Sequence, residues 1–243
     1  MLFRRISLHL HQQNWTAVFI DFVIVVVGVF VGIQVQTAYQ DRSEQKLING
    51  YLYKMHEEIS ASIRGTEATK QFVQTNLENL KIVTSSMAQC KITKGNNSKF
   101  ANGLFHAGKI IPAQFVDNTL QELRSSGRSL LLKNQALTNA ITETLRVHKY
   151  LNRVWPSVQA RSGLYRDYID SKIIYSLDGP INGLSQIEWH NIDIEFDALC
   201  QDREFRARLS GLERLTNINV DWLNRELNSF KSLRAELELA LED

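Results

Sequence analysis

Apolar residues in this chain first appear as a block and then as a stripe. The block is WTAVFIDFVIVVVGVFVGIQVQ at 15–36, nearly continuous apolar sequence broken by one carboxylate, Asp21, and two glycines, Gly28 and Gly32. About 20 such residues, each rising 1.5 Å along a helix, cross the hydrocarbon core of a bilayer. The block therefore predicts a transmembrane helix over 14–37. No proline or glycine-rich linker follows it, and the apolar positions turn periodic. Leu47, Tyr51, Met55, Ile59 and Ile63 recur every fourth residue, then Phe72, Val73, Leu77, Leu80, Val83 and Met87 continue the stripe. That spacing predicts a helical stalk over 38–88. Gly65 leaves two geometries open, a hairpin or one long bent helix.

Periodicity fails over 89–112, where CKITKGNNSKFANGLFHAGKIIP carries glycine and asparagine turn signals; a loop is expected, with room for short structure inside it. Helix resumes over 113–126 with Asp117 or Asn118 as its cap and Gly127 as its stop. A further helix is expected over 130–155, and Pro156 is read as the start of the next, which ends near 175. A second irregular stretch, SLDGPINGLSQIEWHNIDIEF, precedes a long C-terminal helix. In that helix Phe205, Leu209, Leu212, Leu215, Ile218, Trp222, Leu227, Phe230, Leu233, Leu237 and Leu241 give a wide apolar face. A helix of that length has to pack along several others. The fold class expected is all-α: an N-terminal transmembrane helix continuing into a stalk, then an elongated extramembrane helical bundle over 113–243.

Within the span, Asp21, Val25, Gly28, Gly32 and Gln36 follow one another at steps of four, three, four and four, which places them on one helix face. Gly28 and Gly32 form a G-x-x-x-G, the spacing that lets two helix backbones approach where lipid gives no hydrophobic drive. An ionisable group in hydrocarbon costs at least about 2.5 kcal/mol unless paired or wetted. Asp21 is therefore expected either about one turn inside the first interface, reaching headgroups or staying protonated, or against a partner helix. Ahead of the span, residues 1–13 read as a short amphipathic leader. Arg4 and Arg5 lie before the span while Arg42 and Lys46 follow it beside Asp41 and Glu44, so the basic count ties. The short basic leader before one long apolar run fits a signal-anchor with the N-terminus inside, and no small-x-small cleavage site follows.

The totals add constraints rather than chemistry. In 243 residues, 28 basic and 26 acidic side chains nearly balance, which argues against a nucleic-acid partner. Mean hydropathy is −0.22, so one apolar segment stands out from an otherwise soluble composition and the protein reads as single-pass. His56-Glu57-Glu58 lacks the second histidine of a zinc-binding helix and reads as a solvated face of the stalk. Trp189-His190-Asn191-Ile192-Asp193 has the polarity of a site without an evident partner. Lys91, Lys94, Lys99 and Lys109 offer an anion site or simply solvate their loop. No phosphate-binding glycine loop or serine nucleophile elbow occurs in the sequence. The expectation is a non-enzyme without cofactor or metal. Cys90 and Cys200 are the two cysteines, and they either pair as a disulfide or stay as buried thiols.

Three stretches carry a resemblance: the span from Ile20 to Gln36, the run YLYKMHEEI at 51–59, and NTLQELRSSG at 118–127. Together they resemble an uncharacterised family of bacterial single-pass membrane proteins, classed under a domain of unknown function. In that family an acidic residue opens the span and a T-aromatic-Q-E-L-x-S-x-G element follows. Asp21 matches the first feature and Thr119 to Gly127 the second, with Leu120 in place of the aromatic; Tyr39 stands near where a tryptophan is expected. The resemblance implies a bacterial envelope protein with a helical extramembrane domain, and it carries no catalytic residues. The function expected is a membrane-anchored interaction or scaffold protein of the bacterial inner membrane, its N-terminus cytoplasmic and its C-terminal domain periplasmic. It would assemble through its transmembrane face and stalk as a homo-oligomer or as an accessory subunit of a membrane complex. The alternative is a sensory or small-ligand-binding ectodomain on one helical anchor.

Overall fold

The polar stretch after the apolar block contains nothing that stops a helix, and none stops there. In the structure, a computed structural model that describes residues 15–176 and 185–242, helix α1 runs Trp15–Gln89 without a break. The fold is all-α, with 82% of the described residues helical. It divides into two units, Met1–Tyr51 and Leu52–Asp243. The leader at 1–13 lies outside the described residues.

The first unit is described as the N-terminal part of α1. From Phe22 to Leu47 every side chain on it is exposed. One helix of the structure, Phe22–Gln89, is long and apolar enough to cross a membrane, and none of its apolar window is buried, unlike a core helix of a soluble domain.

The second unit is built from the rest of α1 with α2 (Asn97–Phe105), α3 (Asn118–Ser125), α4 (Gln135–Asp170), α5 (Phe196–Gln201) and α6 (Arg203–Glu242). Cross-contacts fix the directions. His56 meets Glu238, Glu67 meets Lys231 and Thr84 meets Glu213, so α1 and α6 are antiparallel. Thr144 and His148 meet Ser229 and Glu226 while Arg208 reaches the Leu164 carbonyl, so α4 and α6 are antiparallel too. At one end the core closes on Leu80, Val83, Met87, Phe100, Ile169, Phe205, Leu209 and Leu212.

Of the two geometries open at Gly65, the structure has the single long helix; the Gln114 side chain occupies the space where a Cβ would sit, so glycine serves close packing. Other expectations are corrected. The stretch 89–112 contains α2, whose nine residues are too short to show a period but bury Phe100, Ala101, Asn102, Gly103 and Leu104. Its Asn102-Gly103 pair, which reads as a turn, is mid-helix: a Cβ at 103 would lie 2.6 Å from the Asn79 carbonyl oxygen of α1. Residues 113–117 are not helical, and α3 starts at Asn118 without a side-chain cap bond from Asp117. Gly127 does end it, at φ 70. Pro156 lies inside α4 and starts nothing. A proline costs the bond to the carbonyl four residues back. That carbonyl belongs to Asn152, an exposed residue whose backbone water can serve. Of the second irregular stretch, 177–184 lies outside the described residues, and around it Ile174–Tyr175 pairs antiparallel with Ile192–Asp193.

Helix α1 ends in a 6→1 bond from the Lys91 N–H to the Ser86 carbonyl, with Cys90 at φ 46 where glycine is usual. A disulfide joins Cys90 to Cys200 at the end of α5, with the two Cα atoms 5.3 Å apart and 110 residues between them in sequence. Closing a loop of that length stabilises by up to about 4–5 kcal/mol on the chain-entropy model.

Two glycines give opposite expectations. Gly103→Ala forces α2 off the α1 backbone and is expected to cost about 1–3 kcal/mol. Gly163→Ala, in α4 with open space around it, is expected to be neutral or to stabilise by up to about 1 kcal/mol. Urea unfolding of the full chain in detergent, followed by circular dichroism, measures both.

Candidate functional site

On α1, Val25, Gly28, Gly32 and Gln36 share one face. Asp21 occupies a helix position on the same face, and its side chain lies outside what the structure describes. Val25 is 63% exposed. No described residue lies within 4 Å of the Cβ position at either glycine. Thr37, just past this face, returns its hydroxyl to the Ile33 carbonyl at 3.0 Å, which leaves no polar group of its side chain unpaired in an apolar setting. The arrangement offers a shallow backbone surface on which another helix can pack closely.

The second unit is organised by a strap, residues 106–117, that runs from the end of α2 to the start of α3. Its backbone groups are met by side chains. The Asn76 amide donates to the His106 carbonyl at 2.9 Å, and Ser162 donates to the Gly108 carbonyl at 2.8 Å. Asn219 clamps Ile111 at both its N–H and its carbonyl, each at 3.0 Å. Thr66 does the same for Gln114, and Ser62 accepts from the Val116 N–H at 2.9 Å. The Glu58 carboxylate accepts from both the N–H and the hydroxyl of Thr119, at 3.0–3.2 Å. Glu58 is thus no part of a solvated face: it joins the YLYKMHEEI run to the N-terminus of the T-L-Q-E-L helix, two of the stretches that carry the family resemblance.

Where the strap begins, polar groups gather. Arg166 donates to the carbonyls of Leu104, Phe105 and Ala107, ending α2. His106 is 4% exposed, with Phe72 edge-on to its ring and Lys109 Nζ 2.9 Å from its Nδ1. Burial, then the charges of Lys109 and Arg166, hold His106 down at about 4, while a hydrogen bond with the Ser185 backbone pulls the other way. Lys109 is lowered as well, by burial and by Arg166. The neutral imidazole therefore accepts from the lysine. Beside it lies a cavity of about 260 Å³ lined by Phe72, Asn76, Ser98, Lys99, Asn102 and His106, among others. Asn102 is saturated, bonding both backbone groups of Ile187 and the Ser98 carbonyl. Asn76 is 2% exposed, and its Oδ1 has no hydrogen-bond partner among the described residues.

The remaining sequence candidates are placed as follows. Lys91 and Lys94 are exposed, while Lys99 and Lys109 stand at or near this cavity. Trp189 packs edge-on against Phe100, and Asn191 bonds Glu188 and Ser176 across the small strand pair, so that stretch is structural. His56 faces Glu238 at 3.3 Å. Among the described residues no group of three or more His, Cys, Asp or Glu side chains is placed to hold a metal ion. Comparison with protein-family models, curated proteins and solved structures finds no match.

Sequence reasoning missed Asn76, Asn102, Arg166 and Asn219. Single polar residues among apolar helix positions are their signal: Asn76 beside Leu77 and Asn219 beside Val220 both interrupt stripes of buried aliphatics.

His106 binds no proton in the folded state above about pH 4 but does so below about 6.5 once unfolded. Its contribution is complete above 6.5 and is lost as pH falls toward 4. The stability difference between wild type and His106→Asn is expected to be constant above pH 7 and to shrink between pH 6.5 and 4.5. Urea titrations of both chains at a series of pH values measure it.

Proposed function

We propose that this is a membrane-anchored interaction protein of the bacterial inner membrane, N-terminus cytoplasmic and C-terminal unit periplasmic. It assembles through the Asp21, Val25, Gly28, Gly32 and Gln36 face of α1 with itself or with another envelope protein. The observation that carries this reading is an apolar helix surface that no described residue covers, with two glycines on it open to close approach. The Cys90–Cys200 disulfide supports the topology, since such bonds persist in oxidising compartments. The side-chain network around the strap is occupied with holding backbone, which suits a scaffold.

The test is the mass and composition of the native particle, extracted in mild detergent through a C-terminal tag. Wild type is expected at a multiple of 27.9 kDa or with a defined second protein. Replacing Gly28 and Gly32 by isoleucine is expected to release a single chain. A wild-type monomer without company, or a variant of unchanged composition, contradicts the reading.

One observation favours a second reading, a small-ligand-binding ectodomain: the cavity beside His106 is lined by Asn76, a buried amide whose Oδ1 has no hydrogen-bond partner among the described residues. A panel of small polar metabolites is expected, on that reading, to contain one that raises the melting temperature of wild type and not of Asn76→Leu. A panel without effect on wild type contradicts it.

A further inference from the structure

The face that carries Asp21 does not stop at Gln36. Steps of three, four, three and four lead on to Tyr39, Ser43, Lys46 and Gly50, so the mean step from Asp21 onward stays close to the 3.6 residues of a helical turn. The face therefore runs straight along α1 from the start of the span to well past its end. Arg42 sits one turn before Lys46, and with Tyr39 and Ser43 these residues line one side of the helix. Asp41 and Glu44 fall on the opposite side at about 100° per residue. Tyr39 is 76% exposed, and the Cβ position of Gly50 is open. Among the described residues Arg42 and Lys46 make no ion pair. One face thus bears a carboxylate at the beginning of the span and two cations beyond its end.

That order of charges decides what fits. Two copies inserted in the same sense pack in parallel. A second copy would set Asp21 against Asp21 in hydrocarbon, where ionised carboxylates repel strongly and protonated ones give up the charge-assisted bond that a basic side chain would offer. It would also set Arg42 and Lys46 against their own counterparts. A span with the reverse order would pair at both ends. We infer that this face takes a different membrane protein: a parallel span with a basic side chain level with Asp21 and acidic side chains level with Arg42 and Lys46. The inference rests on the reading of the face as an assembly surface and names its partner's chemistry.

A charge-swapped copy of the chain serves as the probe. Two full-length chains with different tags are co-expressed and extracted in mild detergent; one is captured and the other quantified. Wild type with wild type is expected at background. Wild type with Arg42→Glu/Lys46→Glu, which leaves the span untouched, is expected several-fold above it. Wild type with Asp21→Lys/Arg42→Glu/Lys46→Glu, its insertion checked by alkali extraction, is expected about tenfold above background, a difference of about 1.4 kcal/mol. Each swapped variant with itself is expected at background, and Gly28→Ile/Gly32→Ile in one member of a matched pair is expected to abolish capture. Wild-type self-capture as strong as the matched pairs overturns the partner inference. If the isoleucine variant also abolishes that self-capture, the assembly reading survives. Absence of capture in every pair overturns the partner inference as well, and the native particle mass of wild type then judges the assembly reading separately.

Discussion

Backbone N–H and C=O groups removed from water have to be paired, and this requirement shapes both units of the chain. In the first unit a single helix pairs them internally, and its side chains are left to face whatever surrounds it. In the second unit the strap at 106–117 lies among helices, with no strand beside it among the described residues. Its backbone is paired instead by Ser62, Thr66, Asn76, Ser162 and Asn219, while Glu58 takes the Thr119 N–H at the start of α3. Those residues come from three helices, so the strap ties α1, α4 and α6 together through polar contacts as well as through burial. A helix bundle with this polar lining gains specificity of register, because a shift by one residue would leave each of these groups unpaired.

The functional reading follows from what the structure occupies and what it leaves open. Most conspicuous polar side chains of the second unit are engaged with backbone or with each other: Arg166 with the end of α2, Asn102 with Ile187, His148 with Glu226 at 2.6 Å. The open features are the apolar face of α1, its glycines, and the cations that continue it. On the proposal above, the order of charges along this face would add to shape in selecting a partner.

Much of the architecture was legible in the sequence because its signals are periodic and long. The block at 15–36, the stripe through Ile59 and Ile63, and the C-terminal stripe from Phe205 to Leu237 all describe helices that the structure contains. What was not legible is local. Gly65, Gly103 and Pro156 are punctuation in a sequence, yet all three lie inside helices, two of them where a neighbouring chain segment presses close. The span face could be placed on one side of a helix from spacing alone. The strap network could not, since it depends on which single polar residue of a helix meets an extended segment distant in sequence. Asn219 and Ile111 are 108 residues apart.

The most direct measurement is photo-crosslinking along the span in intact cells, with a photo-reactive side chain placed in turn at each position from 22 to 36. The account predicts protein adducts at Val25, Gly28, Gly32 and Gln36 and their absence at Val26, Phe30 and Gln34 on the opposite side, repeating with the helical period. Adducts without that period, or their absence at the glycine positions, would contradict it.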